Sequence, residues 1–176
     1  MAGAIVVKII KPKRLKDDKL RLQLLSGMKE VQKGMLKDFQ ATTKTWKRKV
    51  EFETAKSIAM AKSPTVHVIT NDKIYRYVND GTDPHPIFAG IYTGRSSKRA
   101  LSFGKGKYRP KTRPRVIGST PGGPTGPRIA RPYVQHPGTK ARKFDITIQK
   151  KWTPRFKRRM EEAMRRAAKA SGHGIP

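Results

Sequence analysis

Few residues in this chain are suited to acid–base or metal chemistry. Histidine occurs at His67, His85, His136 and His173, and cysteine does not occur at all. His85 lies between Pro84 and Pro86, and His136 precedes Pro137-Gly138. If the two rings approached each other they would offer two nitrogens to a metal. A stable site needs more ligands than that. Thiolates are absent, no histidine pair has helical or hairpin ligand spacing, and the acids nearby are Asp80, Asp83 and Asp145. Each histidine reads more simply as a turn residue held by a hydrogen bond. A hydrolytic nuclease needs carboxylates gathered around its ions, and these three aspartates do not assemble such a cluster. Asp80 reads as a turn residue and Asp145 as a partner for a nearby Arg or Lys. Gly104-Lys105-Gly106-Lys107 lacks the spacing of a phosphate loop and the Ser or Thr that follows its lysine. Gly118–Gly126 is rich in glycine, but its prolines remove the amide donors a phosphate requires. The expectation is a protein with no catalytic residues and with no metal or nucleotide cofactor.

The charge balance is far more telling. The 176 residues hold 41 Lys and Arg against 12 Asp and Glu, a net charge of +29. Such a surplus opposes compaction and favours polyanions or acidic protein surfaces. No acid occurs between Asp83 and Asp145. That interval carries a basic tract, Arg95, Lys98, Arg99, Lys105, Lys107, Arg109, Lys111, Arg113 and Arg115, with further cations to Lys143. Phe103, Tyr108 and Tyr133 are interspersed, too sparsely to make a base-stacking platform, so backbone-level electrostatic contact is the expected mode. Residues 104–132 are rich in Gly and Pro and show no periodic apolar face, so this stretch reads as an arm or long hairpin ordered by a partner. With no cysteine, redox compartment is not readable. The apolar run 4–10 is too short to span a bilayer and is placed wrongly for a signal peptide, so no membrane partner is expected.

The elements that must position these residues can be outlined from periodicity. Residues 4–10 are β-branched and read as a strand. Leu24, Met28, Val31, Met35, Phe39 and Trp46 recur at helical steps and predict one long amphipathic helix over 17–47. Gly27 and Gly34 weaken that helix slightly and leave room for a close neighbour. Residues 50–54 and 66–70 read as strands, and 74–78 suits one or two turns of helix. Asn79-Asp80-Gly81-Thr82 is a turn, because Asn, Asp and Gly tolerate left-handed backbone. Strand pieces follow at 87–89 and 100–103, and Phe144-Asp145-Ile146-Thr147-Ile148 alternates as a strand does. A last helix is expected to start at Thr153 and Pro154, with Phe156, Met160, Ala163, Met164 and Ala167 on its apolar face. The fold class is α+β: a small antiparallel sheet against a long N-terminal and a C-terminal helix, in one domain with a basic arm.

The motifs Ile74-Tyr75-Arg76-Tyr77-Val78-Asn79-Asp80-Gly81-Thr82-Asp83-Pro84-His85-Pro86-Ile87, Ala100-Leu101-Ser102-Phe103 and Val134–Phe144 occur in that order. Their order and spacing resemble the small neck or tail-completion proteins of tailed bacteriophages, a group that includes lambda-type minor tail protein Z. The resemblance covers roughly 4–170. It implies a structural protein of the virion's head–tail junction, made in the host cytoplasm and assembled as a ring with six-fold symmetry. It implies no enzymatic activity. Its implied partners are head-closure, tail-terminator or tail-tube proteins and the genomic DNA in the channel. The turns at Gly81, Thr82 and His85 and at His136, Pro137 and Gly138 would define the fold rather than react. The 104–132 insertion departs from a minimal member and would be an arm reaching a neighbouring subunit or an adjoining ring. A tail terminator, or a general nucleic-acid-binding protein of ribosomal type, are the alternative readings; a metal-dependent nuclease ranks below both.

Overall fold

The computed structural model describes residues 15–55, 65–89, 100–106 and 108–173. The strand expected at 4–10 lies outside them. The elements in chain order are α1 (Asp17–Thr43), β1 (Glu53–Thr54), β2 (Val68–Ile69), α2 (Lys73–Asp80), β3 (His85–Phe88), β4 (Leu101–Gly104), β5 (Arg128–Arg131), β6 (Tyr133–His136) and α3 (Phe144–Ala170). The class is α+β, as the periodicity predicts.

The two long helices, 27 residues each, form the frame. They run antiparallel along their whole length. At one end the Lys16 amide donates to Ser171 Oγ at 3.1 Å. At the other, Asp38 accepts from Lys151 Nζ (2.9 Å) and Trp152 Nε1 (2.6 Å). The expected apolar face of α1 is the buried one: Met28 and Val31 are sealed, and Met35 and Phe39 pack on the core. The helix ends at Thr43 instead of 47, so Trp46 packs on the core from beyond it. The two glycines permit the close approach. A Cβ on Gly27 would lie 2.9 Å from Met160 Cε, and one on Gly34 would collide with the Trp152 ring.

Two expectations at the C-terminal end are corrected. Residues 144–148 are not a strand, and the last helix does not start at Thr153. Both stretches belong to α3, with Pro154 inside it. The alternation in Phe144-Asp145-Ile146-Thr147-Ile148 misleads because Phe144 and Ile148 are also four apart. Both are fully buried, and Trp152 continues their stripe. The start of α3 is held from a distance by Asn79. Its carbonyl accepts from the Lys143 amide (2.9 Å), and its Oδ1 accepts from the Asp145 amide (3.3 Å). These contacts satisfy N–H groups that a helix start leaves without partners. Within α3 the Thr153 hydroxyl donates to the Gln149 carbonyl instead of capping. Met164, expected on the apolar face, is 53% exposed.

Tyr75 on α2 fills the space between the helices and the β1–β2 segment. Its ring meets Phe144 (5.8 Å), Phe52 (5.1 Å, edge-on), Trp46 (6.2 Å) and Phe39 (6.5 Å). Burial pushes its phenol well above the ordinary value, and Thr42 pulls weakly the other way. The Thr42 hydroxyl donates to the Phe39 carbonyl at 2.6 Å, and Tyr75 Oη has no partner in hydrogen-bond geometry among the described residues.

The strands form three two-stranded antiparallel ladders: β1–β2, β3–β6 and β4–β5. β6 was not anticipated. In β3–β6, His85 pairs with His136 and Phe88 with Tyr133. The same register extends to the Thr82–Thr139 bridge and to the Ala89 amide on the Pro132 carbonyl. In β4–β5, Leu101 pairs with Arg131 and Gly104 with Arg128. The pairing continues through the Arg109–Gly123 bridge. The insertion is therefore a long hairpin. Its loop is fastened to this chain's own α1. Ser119 Oγ donates to Ala41 O and accepts from the Thr45 amide, both at 3.1 Å. Lys111 Nζ donates to Thr45 O at 2.8 Å, and Ile117 packs on the core. The loop's polar groups thus supply partners for the Ala41 carbonyl in the last turn of α1 and for the Thr45 amide and carbonyl just past its end.

Candidate functional site

The candidate surface is built on the excursion from Gly81 to Lys143, both ends of which meet at one place. Gly81 (φ 86°) and Gly138 (φ 82°) take left-handed backbone at the two turns. A Cβ on Gly81 would lie 2.8 Å from the Thr139 carbonyl, and one on Gly138 would strike the Thr82 carbonyl. Glycine is thus required where the strands come together. The Thr82 and Thr139 amides and carbonyls exchange two bonds of 3.0 Å, and the Thr139 amide also reaches Thr82 Oγ1 at 3.0 Å. Gly81, Thr82, Thr139 and Gly138 are thus the residues at which the two ends of the excursion come together.

His85 and His136 face each other across the ladder, with ring centroids 5.1 Å apart. His85 Nδ1 bonds the Asp83 carbonyl at 2.7 Å and must carry the proton there. His136 Nδ1 accepts from the Gly138 amide at 3.1 Å, which leaves its proton on Nε2. Each ring is tied to the turn next to its own strand, while His85 and His136 themselves belong to β3 and β6 rather than to the turns expected of them. Burial, and to a lesser degree His85, lowers the His136 pKa below the ordinary histidine value. Among the described residues no three His, Asp or Glu side chains gather as a metal site.

The basic tract is placed as follows. Lys105, Arg109, Arg113 and Arg115 are exposed on the hairpin and its loop, and Lys111 is half-buried against the end of α1. Arg95, Lys98, Arg99 and Lys107 lie outside the described residues. Arg115 has φ 61°, and its amide donates to the Arg142 carbonyl at 2.9 Å. Arg142 Nε reaches Thr112 Oγ1 at 3.3 Å, and burial lowers its pKa below the ordinary guanidinium value. The base of the excursion and the tip of the hairpin therefore meet at Arg142. Arg128 bonds Ser102 across β4–β5 and also stays exposed.

Ion pairing leaves the surplus in place. Among the described residues, Arg48 pairs with Asp72, Lys151 with Asp38, and Arg159 with Glu30 and Glu162. No described cation of the basic tract pairs with a described acid, and Asp145, expected to pair, makes no ion pair with a described residue either. A pocket of about 270 Å³ is lined by Arg48, Lys49, Glu51, Glu53 and Asp72. Arg48 closes on Asp72 there at 3.0 Å, which spends its charge internally. The sequence raised the approach of His85 and His136 only as a possibility, and it gave no sign of the Phe88–Tyr133 contact, whose rings lie 6.0 Å apart. Both depend on a register linking residues about fifty apart, and no local pattern announces it. No protein-family model, no curated protein and no solved structure matches this chain.

Proposed function

We propose that this chain is a structural subunit of the head–tail junction of a tailed bacteriophage, a neck or tail-completion protein that works as a ring around the DNA channel. The observation that carries the reading is the unbalanced charge: +29 on 176 residues, with an acid-free interval between Asp83 and Asp145 whose described cations are mostly exposed and make no ion pair with a described acid. A ring of six such chains needs anion, and a DNA end inside the ring or acidic rims on adjoining rings would supply it. The motif order supports the same reading. So does the Thr82–Thr139 bridge, which joins the first motif to the last. The described part of the tract, Lys105, Arg109, Arg113 and Arg115, is assigned to the channel or to a neighbouring subunit.

Light scattering and electron microscopy of the purified chain, together with imaging of virions at the layer between portal and tail tube, test this. Closed rings of six copies at that layer are the expected result. A solitary monomer in the mature particle, with the tract pointing into bulk solvent, overturns it. Sequence-tolerant RNA binding without ring assembly would transfer the chain to the general nucleic-acid-binding class.

A further inference from the structure

The outer face of α3 carries a second cationic surface, separate from the hairpin. We propose that it docks against the phosphate backbone of duplex DNA. α3 holds nine basic residues against three acids, whereas α1, of equal length, holds five against four. Lys150 and Lys157 stand seven apart, as do Arg158 and Arg165, and seven residues are almost two full turns. The four therefore make two parallel rows, all exposed, on the side opposite buried Ile148, Ala163 and Ala167. None of the four pairs with a described acid. From Lys150 to Arg165 the helix rises about 22 Å. That length of duplex axis carries about 13 phosphates.

The chemistry of the face selects the partner. A protein interface needs an apolar or aromatic centre shielded from water, and a single strand needs rings on which bases stack. Between the two rows lie Pro154 and Glu161, with no aromatic. A rigid face bearing point charges alone suits a regular, stiff array of phosphates. Glu161 is the acid between the rows and weakens the surface. The inference does not depend on ring assembly, since an isolated chain presents the same face.

The test measures binding of a mixed-sequence duplex to the full chain over a range of salt. The K150Q/K157Q/R158Q/R165Q variant should lower the slope of log affinity against log salt by about 3.6, at about 0.9 per lost phosphate contact. Removing the same charge from α1 and its end, K29Q/K33Q/K37Q/K44Q, should lower it by less than about 1. E161Q should tighten binding. In the unaltered protein, duplex should shield Lys150 and Lys157 from an amine-reactive reagent and leave Lys29 and Lys33 open, a readout that needs no variant to fold. Equal losses in the two quadruple variants would mean that delocalised charge binds DNA, and would overturn the proposal. So would loss confined to R109Q/R113Q/R115Q/R128Q on the hairpin, absence of duplex binding, or preference for single strands. Failure here with rings still forming would leave the proposed function standing.

Discussion

At the scale of single residues, the closest contact in the frame is Gly34 beneath Trp152. The indole cannot swing aside freely, because its Nε1 is bonded to Asp38 at 2.6 Å. Gly34→Ala gains intrinsic helix propensity but drives a methyl into that ring. Overpacking of this kind costs about 1–3 kcal/mol, which exceeds the gain of about 1 kcal/mol from replacing glycine. Urea denaturation should show a net loss of stability. His136 makes a second prediction, in pH. Its folded pKa lies below the unfolded value, so the native state resists taking the proton. The contribution is present above the unfolded value of about 6.5 and is lost as pH falls from there through the folded value. Protonation also ends the acceptance from Gly138 and sets a cation beside His85. Hydrogen exchange at the Gly138 and Thr139 amides should quicken on acidification, and His136→Gln should flatten that response. That His85 and His136 stand beside turns could be read from their flanking prolines, although the structure places them at the ends of β3 and β6 rather than in the turns themselves. That they oppose one another could not, because pairing is a property of the ladder.

Among the elements, α1 was legible and α3 was misread. In α1 the apolar residues keep helical spacing without interruption, and both glycines mark the approach of a partner. In α3 the dipeptide Thr153-Pro154 carries the chemistry of a helix start, and Phe144–Ile148 carries the alternation of a strand. Packing overrides both: Phe144, Ile148 and Trp152 gain a buried site only as one helical stripe. The helix accepts a proline that forfeits a backbone donor. Pro154 is exposed, so replacing it disturbs no buried contact. Pro154→Ala should therefore stabilise the fold by about 1–3 kcal/mol, seen as a higher urea midpoint with the same slope. The hairpin was foreseen as a possibility, but its fastening to α1 was not. Those bonds run from Ser119 and Lys111 to the last carbonyls of a helix about seventy residues away, and composition holds no record of them.

For the whole molecule, self-repulsion is the dominant consequence of composition. Three described cations find described carboxylate partners, and most of the others are exposed to water. Screening should therefore stabilise the fold. Raising salt from about 0.1 M to about 1 M shortens the screening length from about 10 Å to about 3 Å. The thermal midpoint should rise over that range, and sulfate should act more strongly than chloride at equal ionic strength. A midpoint indifferent to salt would show that the surplus charges are too far apart to matter. Such indifference would remove the physical reason for a polyanionic partner.

The partnership of α1 with α3 also sets a schedule. One lies near the beginning of the described chain and the other near its end, and Asn79 on α2 holds the first turn of α3. On the ribosome, the apolar stripe of Met28 and Val31 must wait uncovered until α3 emerges. The intervening ladders have no completed platform before then. Ordering is thus a late, long-range event, and incomplete chains present a sticky helix to chaperones and proteases. If the chain enters a closed assembly, as proposed above, such a delay would keep unfinished copies out of it.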